Sequence, residues 1–448
     1  MTIRKTIKRM KAVLSLILAG GMLAAPVVAD EPATFTIKAI KDVNVRLYGF
    51  IENDVINDST QNSKFAEEPD NNLIAKPNTY AGAHHRTIMS IRNSRLGFDV
   101  TMPKTDFGLA SEGIFEMDFL GNSAPNTLPT SGAPGAQSER DFYNNPAVRI
   151  RHAYVNLTDG MWNAKIGQTW SLLGWQPYYF PSEAIPQPAV GQLYRRFAQV
   201  RVTHTLTIAD AWTLETAVDA AKPAEMNSGN TEDHAGIRFA STKWKAAAGI
   251  GSGLPLVGLS AALSGAWVPV RTGTLGNSNG SAVAADLLIP IIPSKDGTDP
   301  SNNLSLTAEY SNGRGIGGVE LAGLTGGIAG VTDPSSGAID SGIAGLSNGL
   351  LDLIHSQTWR SNLTYVFPGA TWSTSAGYAE ASILNMDDYG TNAGYAPRMQ
   401  YYYVNGMFMP LSWLRFALEW AQTKDTYNDV NARFAYNNRI QFTTYLTF

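Results

Sequence analysis

The 448-residue chain contains no cysteine. Disulfides and thiolate metal sites are therefore excluded, and its stability must come from another source. Histidine is scarce too, at six residues. His84 and His85 are neighbours and the other four are scattered, without the spacing of a metal-binding set. Long apolar runs are missing beyond residue 29. No later stretch of about 18 apolar residues lacks charge or a dense cluster of glycine, which excludes helical membrane spans. Mean hydropathy is −0.13. A near-zero value suits strands whose apolar and polar faces cancel along the chain.

The one apolar run lies at the N-terminus. Arg4, Lys5, Lys8, Arg9 and Lys11 precede Ala12 to Leu18, and Val27, Val28 and Ala29 supply small residues before Asp30. That order predicts a cleaved secretory signal over 1–29. As a membrane anchor the run from Ala12 to Ala29 is only marginally long enough, and Gly20, Gly21 and Pro26 interrupt it. The whole chain has 34 basic and 38 acidic side chains; without the five basic residues of the signal, 29 basic face 38 acidic, a net charge of −9. Such a surface disfavours nucleic acid as a partner.

What the chain has is alternation. From Phe434 to Phe448, Phe434, Tyr436, Ile440, Phe442, Leu446 and Phe448 share one parity. Arg433, Asn437, Arg439, Gln441, Thr443 and Thr447 share the other. Period two sends the sets to opposite faces of a strand. The length matches the roughly 9–11 residues of a membrane-crossing strand, with aromatics near both ends. A soluble sandwich core also accommodates one such strand, but the pattern recurs. Ile51 opposes Glu52 and Asp54; Phe98 opposes Arg95 and Asp99; Phe115 opposes Glu112, Glu116 and Asp118; Trp420 opposes Arg415 and Glu419. In 147–158, Arg149 and Arg151 want the inner face while Ala153, Val155 and Leu157, of the same parity, want the outer one; a bulge would reconcile them. Strands near 257–291 and 397–409 show no clear parity.

Connections alternate as well. Long loops near 55–87, 120–146, 171–195, 221–233, 271–281, 313–354, 383–396 and 424–432 interleave with shorter links. Barrels of the outer membrane have long outer loops and short periplasmic turns. Eight long loops with both ends periplasmic predict a transmembrane antiparallel β-barrel of about 16 strands over 43–448, preceded by a short periplasmic lead, 30–42. About 26 residues per strand and connection fits that count.

Charges on the inner parity are the candidate pore residues: Arg46, Arg95, Arg201, Arg238, Arg360, Arg415 and Arg439, with Glu112, Glu116, Asp118, Glu215, Asp219, Glu309 and Glu419. A guanidinium is always charged and its fork matches a carboxylate, so a ladder of them would select anions. Each arginine equally admits a structural role, paired to a wall carboxylate. The loop 171–196 holds Trp175, Tyr178, Tyr179, Phe180 and four prolines and ends in Arg195 and Arg196. Proline stiffness suits a loop folded inward as a constriction, with Arg195 and Arg196 facing solute; packing at the rim or between subunits is the alternative.

Arg149-Ile150-Arg151-His152-Ala153-Tyr154-Val155, followed by Ile166-Gly167-Gln168-Thr169-Trp170-Ser171, resembles the core of DcaP-like trimeric outer-membrane porins. Asn93 to Phe98, Phe115 to Phe119, Gln199 to Arg201 and the terminal Asn438 to Phe442 with Phe448 are similar to the same family. The resemblance implies a homotrimer in outer-membrane lipid that takes up small, often anionic, carboxylate-bearing solutes. Founding members carry an N-terminal helical extension, for which residues 30–42 are too short.

Gly313-Arg314-Gly315-Ile316-Gly317-Gly318 fits a dinucleotide-binding spacing but opens a glycine-rich loop, 313–354, instead of a helix, and so is set aside. That loop is expected to pack against itself outside the pore. No Ser-His-Asp set emerges from spacing. The expected function is passive diffusion of small hydrophilic solutes, chiefly anions such as dicarboxylates, with no reaction, cofactor or metal. A sugar-type porin with an aromatic slide of Trp175, Tyr178 and Tyr179, or a barrel with adhesive loops, are the alternatives.

Overall fold

A computed structural model describes residues 34–36, 43–61, 73–121, 143, 146–175, 189–209, 212–222, 232–241, 259–293, 299–318, 320–321, 323–335, 337–339 and 342–448. The expected signal, most of the lead, and Tyr178, Tyr179 and Phe180 lie outside the described residues. Sixteen barrel strands follow one another: β1 (Asn44–Asp58), β2 in two pieces (Arg86–Ser90 and Arg95–Thr101), β3 (Ala110–Gly121), β4 (Ala147–Asp159), β5 (Trp162–Trp170), β6 (Arg196–Ala209), β7 (Trp212–Lys222) and β8 (Glu232–Ser241). Then come β9 (Ser260–Val270), β10 (Ser278–Ile292), β11 (Leu304–Arg314), β12 (His355–Val366), β13 (Trp372–Ile383), β14 (Arg398–Leu411), β15 (Leu414–Thr426) and β16 (Phe434–Thr447).

Each strand pairs antiparallel with the next, and β16 pairs with β1 from Phe50↔Thr447 to Asp58↔Arg439, closing the ring. Phe448 and Gly49 exchange backbone hydrogen bonds of 3.0 Å in each direction, so the seam is zipped to the final residue. Closure leaves no unpaired sheet edge, which is the condition for crossing lipid with strands. The fifteen unbroken strands run from 9 to 15 residues, enough to cross when tilted.

The parity expected from the sequence is the parity observed. On β16 Tyr436, Ile440 and Leu446 are exposed, while Arg439, Gln441, Thr443 and Tyr445 are buried. Trp372, Phe408, Phe416 and Phe442, from four successive strands, form an outer row with ring centroids 4.4, 6.4 and 6.3 Å apart. This is an interfacial aromatic belt at the short-turn end.

The conflict in 147–158 resolves as a bulge. Glu116 pairs with His152 but Met117 pairs with Ile150, leaving Arg151 as the extra residue. Above it Val148 and Ile150 are exposed; below it Val155 is exposed; Arg151 and His152 are both buried. The break in β2 at 91–94 is bridged by side chains. Arg92 donates to the carbonyls of Phe119 (3.2 Å) and Gly121 (3.1 Å), and Ser94 Oγ accepts from Glu52 N at 3.0 Å. These replace ladder bonds that the backbone does not make.

The ambiguous strands also gain an explanation. On β9, β10 and β14 the inner face is itself apolar: Ala266 and Val268, Ala282 and Ala284, Met399 and Tyr401. They contact loops that enter the barrel. The loop 315–354 does not pack only against itself outside the pore, as the sequence suggested. Ile316, Leu321, Leu324 and Ile343 join Leu173, Val190 and Leu193 of the 171–195 loop and those wall residues in one buried cluster. Burying apolar side chains against an apolar wall, at about 25 cal/mol per Å², favours the inward position over exposure.

Candidate functional site

The described parts of the 171–195 loop cross the barrel. The loop leaves β5, yet Gly174 N donates to Ser264 Oγ on β9 at 3.0 Å. Leu193 N donates to Glu309 Oε1 on β11 at 3.2 Å, and Arg360 Nη1 on β12 donates to Val190 O at 3.1 Å. Gly191 has φ +71°, and a Cβ there would lie 3.1 Å from Glu380 O on β13, which is eight strands from β5 in the closed ring. Only glycine meets both demands. Leu172, Leu173, Ala189, Val190 and Leu193 are each at most 1% exposed. Trp175 is 6% exposed and lies beneath Arg238, 5.1 Å from ring centroid to guanidinium, so it presents no free ring to solute.

Beside the loop stem, arginines converge. Arg149 makes a two-pronged pair with Asp118 (2.9 and 2.7 Å). Arg151, carried inward by the bulge, reaches Glu116 at 2.7 Å, Asp118 at 3.0 Å and the Tyr194 hydroxyl at 3.3 Å. Arg95 Nη1 lies 3.7 Å from Glu116 Oε1. Arg196 makes no ion pair among the described residues; its guanidinium lies 4.5 Å from the Trp170 ring centroid and 5.5 Å from that of Tyr194. Cation–π contact steadies such a group without cancelling its charge. Four guanidiniums thus gather around the carboxylates of Glu116 and Asp118. The phenol of Tyr194 senses the excess: burial works to raise its pKa, but Arg151, Arg196 and Arg95 prevail and hold it below the usual range.

Elsewhere the expected pore arginines are engaged with the wall. Arg439 forks onto Asp58 (2.8 and 2.9 Å), Arg201 onto Asp219 (3.2 and 3.1 Å), and Arg46 reaches Asp99 at 2.9 Å. Arg238 pairs with Glu215 on the neighbouring strand. Arg415 makes no ion pair among the described residues; it lies 3.9 Å over the Tyr445 ring, with Nε and Nη1 lacking hydrogen-bond partners. Arg195 is half-buried at the loop end, its carbonyl accepting from Ser171 N at 2.9 Å. Glu112 accepts from Asn156 at 3.3 Å, and Glu419 accepts from Asn405 at 2.9 Å. The sequence reading left Tyr194 and Trp170 out of the candidate set, since an aromatic at a loop end carries no parity to mark its direction.

No protein-family model matches the chain, and no curated protein matches it. Solved structures do. The outer-membrane channel DcaP of Acinetobacter baumannii superposes with a TM-score of 0.60 at 18% identity, over 92% of this chain and 99% of that one. An anion-selective porin from Comamonas acidovorans gives 0.52 at 11% identity, over 91% and 100%. At such identities the likeness establishes the fold alone: a closed antiparallel barrel of sixteen strands.

Proposed function

We propose that this chain is an outer-membrane porin for small hydrophilic solutes, with a preference for anions such as dicarboxylates. A greasy outer wall, a closed ring and a loop folded across the lumen support passive diffusion through a narrowed water path. The observation that carries the anion preference is the cluster at the loop stem, where Arg95, Arg149, Arg151 and Arg196 surround two carboxylates and Arg196 has no ion-pair partner among the described residues. The sequence blocks that resemble those of DcaP-like porins, together with the fold likeness, support this reading. A homotrimer is proposed on the same ground, and a native mass in detergent of about three chains checks it.

Reversing one lumen charge tests the preference. A unit charge about 6 Å from the ion path in water is worth about 0.7 kcal/mol, so Arg196→Glu moves an anion and a cation by about 1.4 kcal/mol each in opposite directions and changes anion-over-cation preference by about 2.8 kcal/mol, roughly a hundredfold at low salt. Reversal potentials across planar bilayers under a salt gradient measure this, with Arg196→Gln giving about half the shift. An unchanged reversal potential in both variants would remove the arginine cluster from the selectivity mechanism.

A further inference from the structure

On the lumen side of β8, two carboxylates close on one imidazole. Glu232 and His234 stand two residues apart on the same face of the strand, and Glu320 comes from the 315–354 loop. Their exposures are 1%, 3% and 0%. His234 Nε2 is 3.2 Å from Glu232 Oε1 and 3.2 Å from Glu320 Oε1, and one ligand atom from each residue falls within 4.8 Å of the others. Donors bound at about 2.0–2.1 Å to a tetrahedral cation sit roughly 3.3 Å apart, so the spacing suits a shared ion.

Two further observations point the same way. His234 Nδ1 is 2.6 Å from Asp219 Oδ1, so that with an ion bound the proton would stay on Nδ1 and Nε2 would present its lone pair between the glutamates. A carboxylate behind a histidine in this manner is the usual orienting partner of a metal-ligating imidazole. Asp219 is itself fixed by Arg201 at 3.1 Å. Glu320, fully buried, has Oε1 occupied by the Ser171 hydroxyl at 2.7 Å, while Oε2 has no hydrogen-bond partner. A buried carboxylate oxygen in that condition is costly unless a cation meets it. Two glutamates beside a neutral imidazole carry the charge that a divalent ion cancels.

We propose that Glu232, His234 and Glu320 bind a divalent transition cation of the Zn2+ or Mn2+ class, for which a mixed imidazole–carboxylate set is suited. The ion is a clasp. It joins the 315–354 loop to the β8 wall and, through Ser171 and the bond from Tyr194 N to Glu320 O at 2.9 Å, to the stem of the loop that crosses the lumen.

The test uses the folded full chain in detergent, stripped with a chelator and dialysed to equilibrium against Zn2+, with bound metal counted by mass spectrometry. About one Zn2+ per chain is expected, with X-ray absorption showing a nitrogen and oxygen shell that includes an imidazole. Glu320→Gln preserves shape and the contact with Ser171, and should weaken binding on the order of 100-fold; Asp219→Asn should weaken it about 10–100-fold through the orientation of the imidazole. His234→Asn, which keeps a donor toward Asp219, guards against a variant that merely misfolds and should also lose the metal. Sub-stoichiometric binding by the parent chain, or unaltered binding by both Glu320→Gln and His234→Asn, would overturn the site and leave His234 as an imidazolium shared by carboxylates. Conductance is read separately, so neither result bears on the porin assignment.

Discussion

Arg439→Gln should cost the barrel about 3–5 kcal/mol of stability without moving its ion selectivity. Arg439 and Asp58 are direct cross-strand partners at the seam where β16 meets β1, and they are 2% and 4% exposed. Two charge-assisted bonds, 2.8 and 2.9 Å, join them, and Asn437 gives Asp58 a third at 2.7 Å. Glutamine cannot reproduce the fork. Asp58 would keep only the Asn437 bond, and a buried charge deprived of its partner costs about 3–5 kcal/mol. Counting instead the two lost bonds at about 1.5–3 kcal/mol each gives an overlapping figure. The double variant Asp58→Asn with Arg439→Gln removes both charges and should recover most of the loss, since replacing a whole pair is far milder than halving it. Urea unfolding in lipid, followed by tryptophan fluorescence and by the heat-dependent gel shift of folded barrels, gives the four corners of the cycle. A coupling below about 1 kcal/mol would show that the fork contributes no more than an exposed pair and would refute the reasoning. A reversal potential shifted as far as in Arg196→Glu would equally deny the division between wall and pore arginines.

Gly97→Ala tests close packing inside the wall: a Cβ on Gly97 would run into the Tyr48 ring, so overpacking should cost about 1–3 kcal/mol in the same unfolding assay, and Tyr48→Ala in that background should relieve it. The outer loops should loosen in acid. The Lys76 side chain, then the backbone N–H of Asn431, hold the Asp429 carboxyl below its ordinary range. A depressed folded pKa contributes stability above the unfolded value, near 3.9, that is lost as pH falls through the folded one. Proteolysis or hydrogen exchange at 73–79 and 427–433 should therefore rise below about pH 4, and Lys76→Met should move that onset upward.

How much was legible follows from what each feature depends on. Strand parity is a local property, and the segments around Phe115, Trp420 and Phe442 show it without knowledge of their neighbours. The alternation of long and short connections is equally local. The bulge at Arg151 is not, because it is defined only against Glu116 and Met117 on the neighbouring strand. The strands that defied parity, β9, β10 and β14, have inner faces covered by loops in place of water, so Val268, Ala284 and Tyr401 sit where a wet lumen would demand polar groups. Pairing of the arginines was out of reach for a similar reason: Arg439 and Asp58 are 381 residues apart and meet only once the ring closes. The contact of Glu320 with Ser171 spans 149 residues and needs both loops to turn inward.

These facts bear on where a permeating ion would feel charge. The net charge of the chain, −4, describes the whole surface and says little about the lumen, since charges more than a Debye length of about 10 Å apart are largely screened. Within the barrel, Glu309 and Arg360 hold the backbone of the crossing loop at Leu193 and Val190 and so are occupied on the far wall. The wall from β2 to β6 is different. There the bulge adds Arg151 to a face that already holds Arg95 and Arg149, and Tyr194 and Trp170 keep Arg196 in place without neutralising it. A bulge that inserts a guanidinium on the inner face of a barrel alters the field there by a full charge while changing the wall by one residue. Removing it, by deleting Arg151 alone so that Ile150 and His152 become consecutive in the ladder and parity is kept on both sides, should weaken anion preference while leaving the closing seam at Asp58 and Arg439 intact.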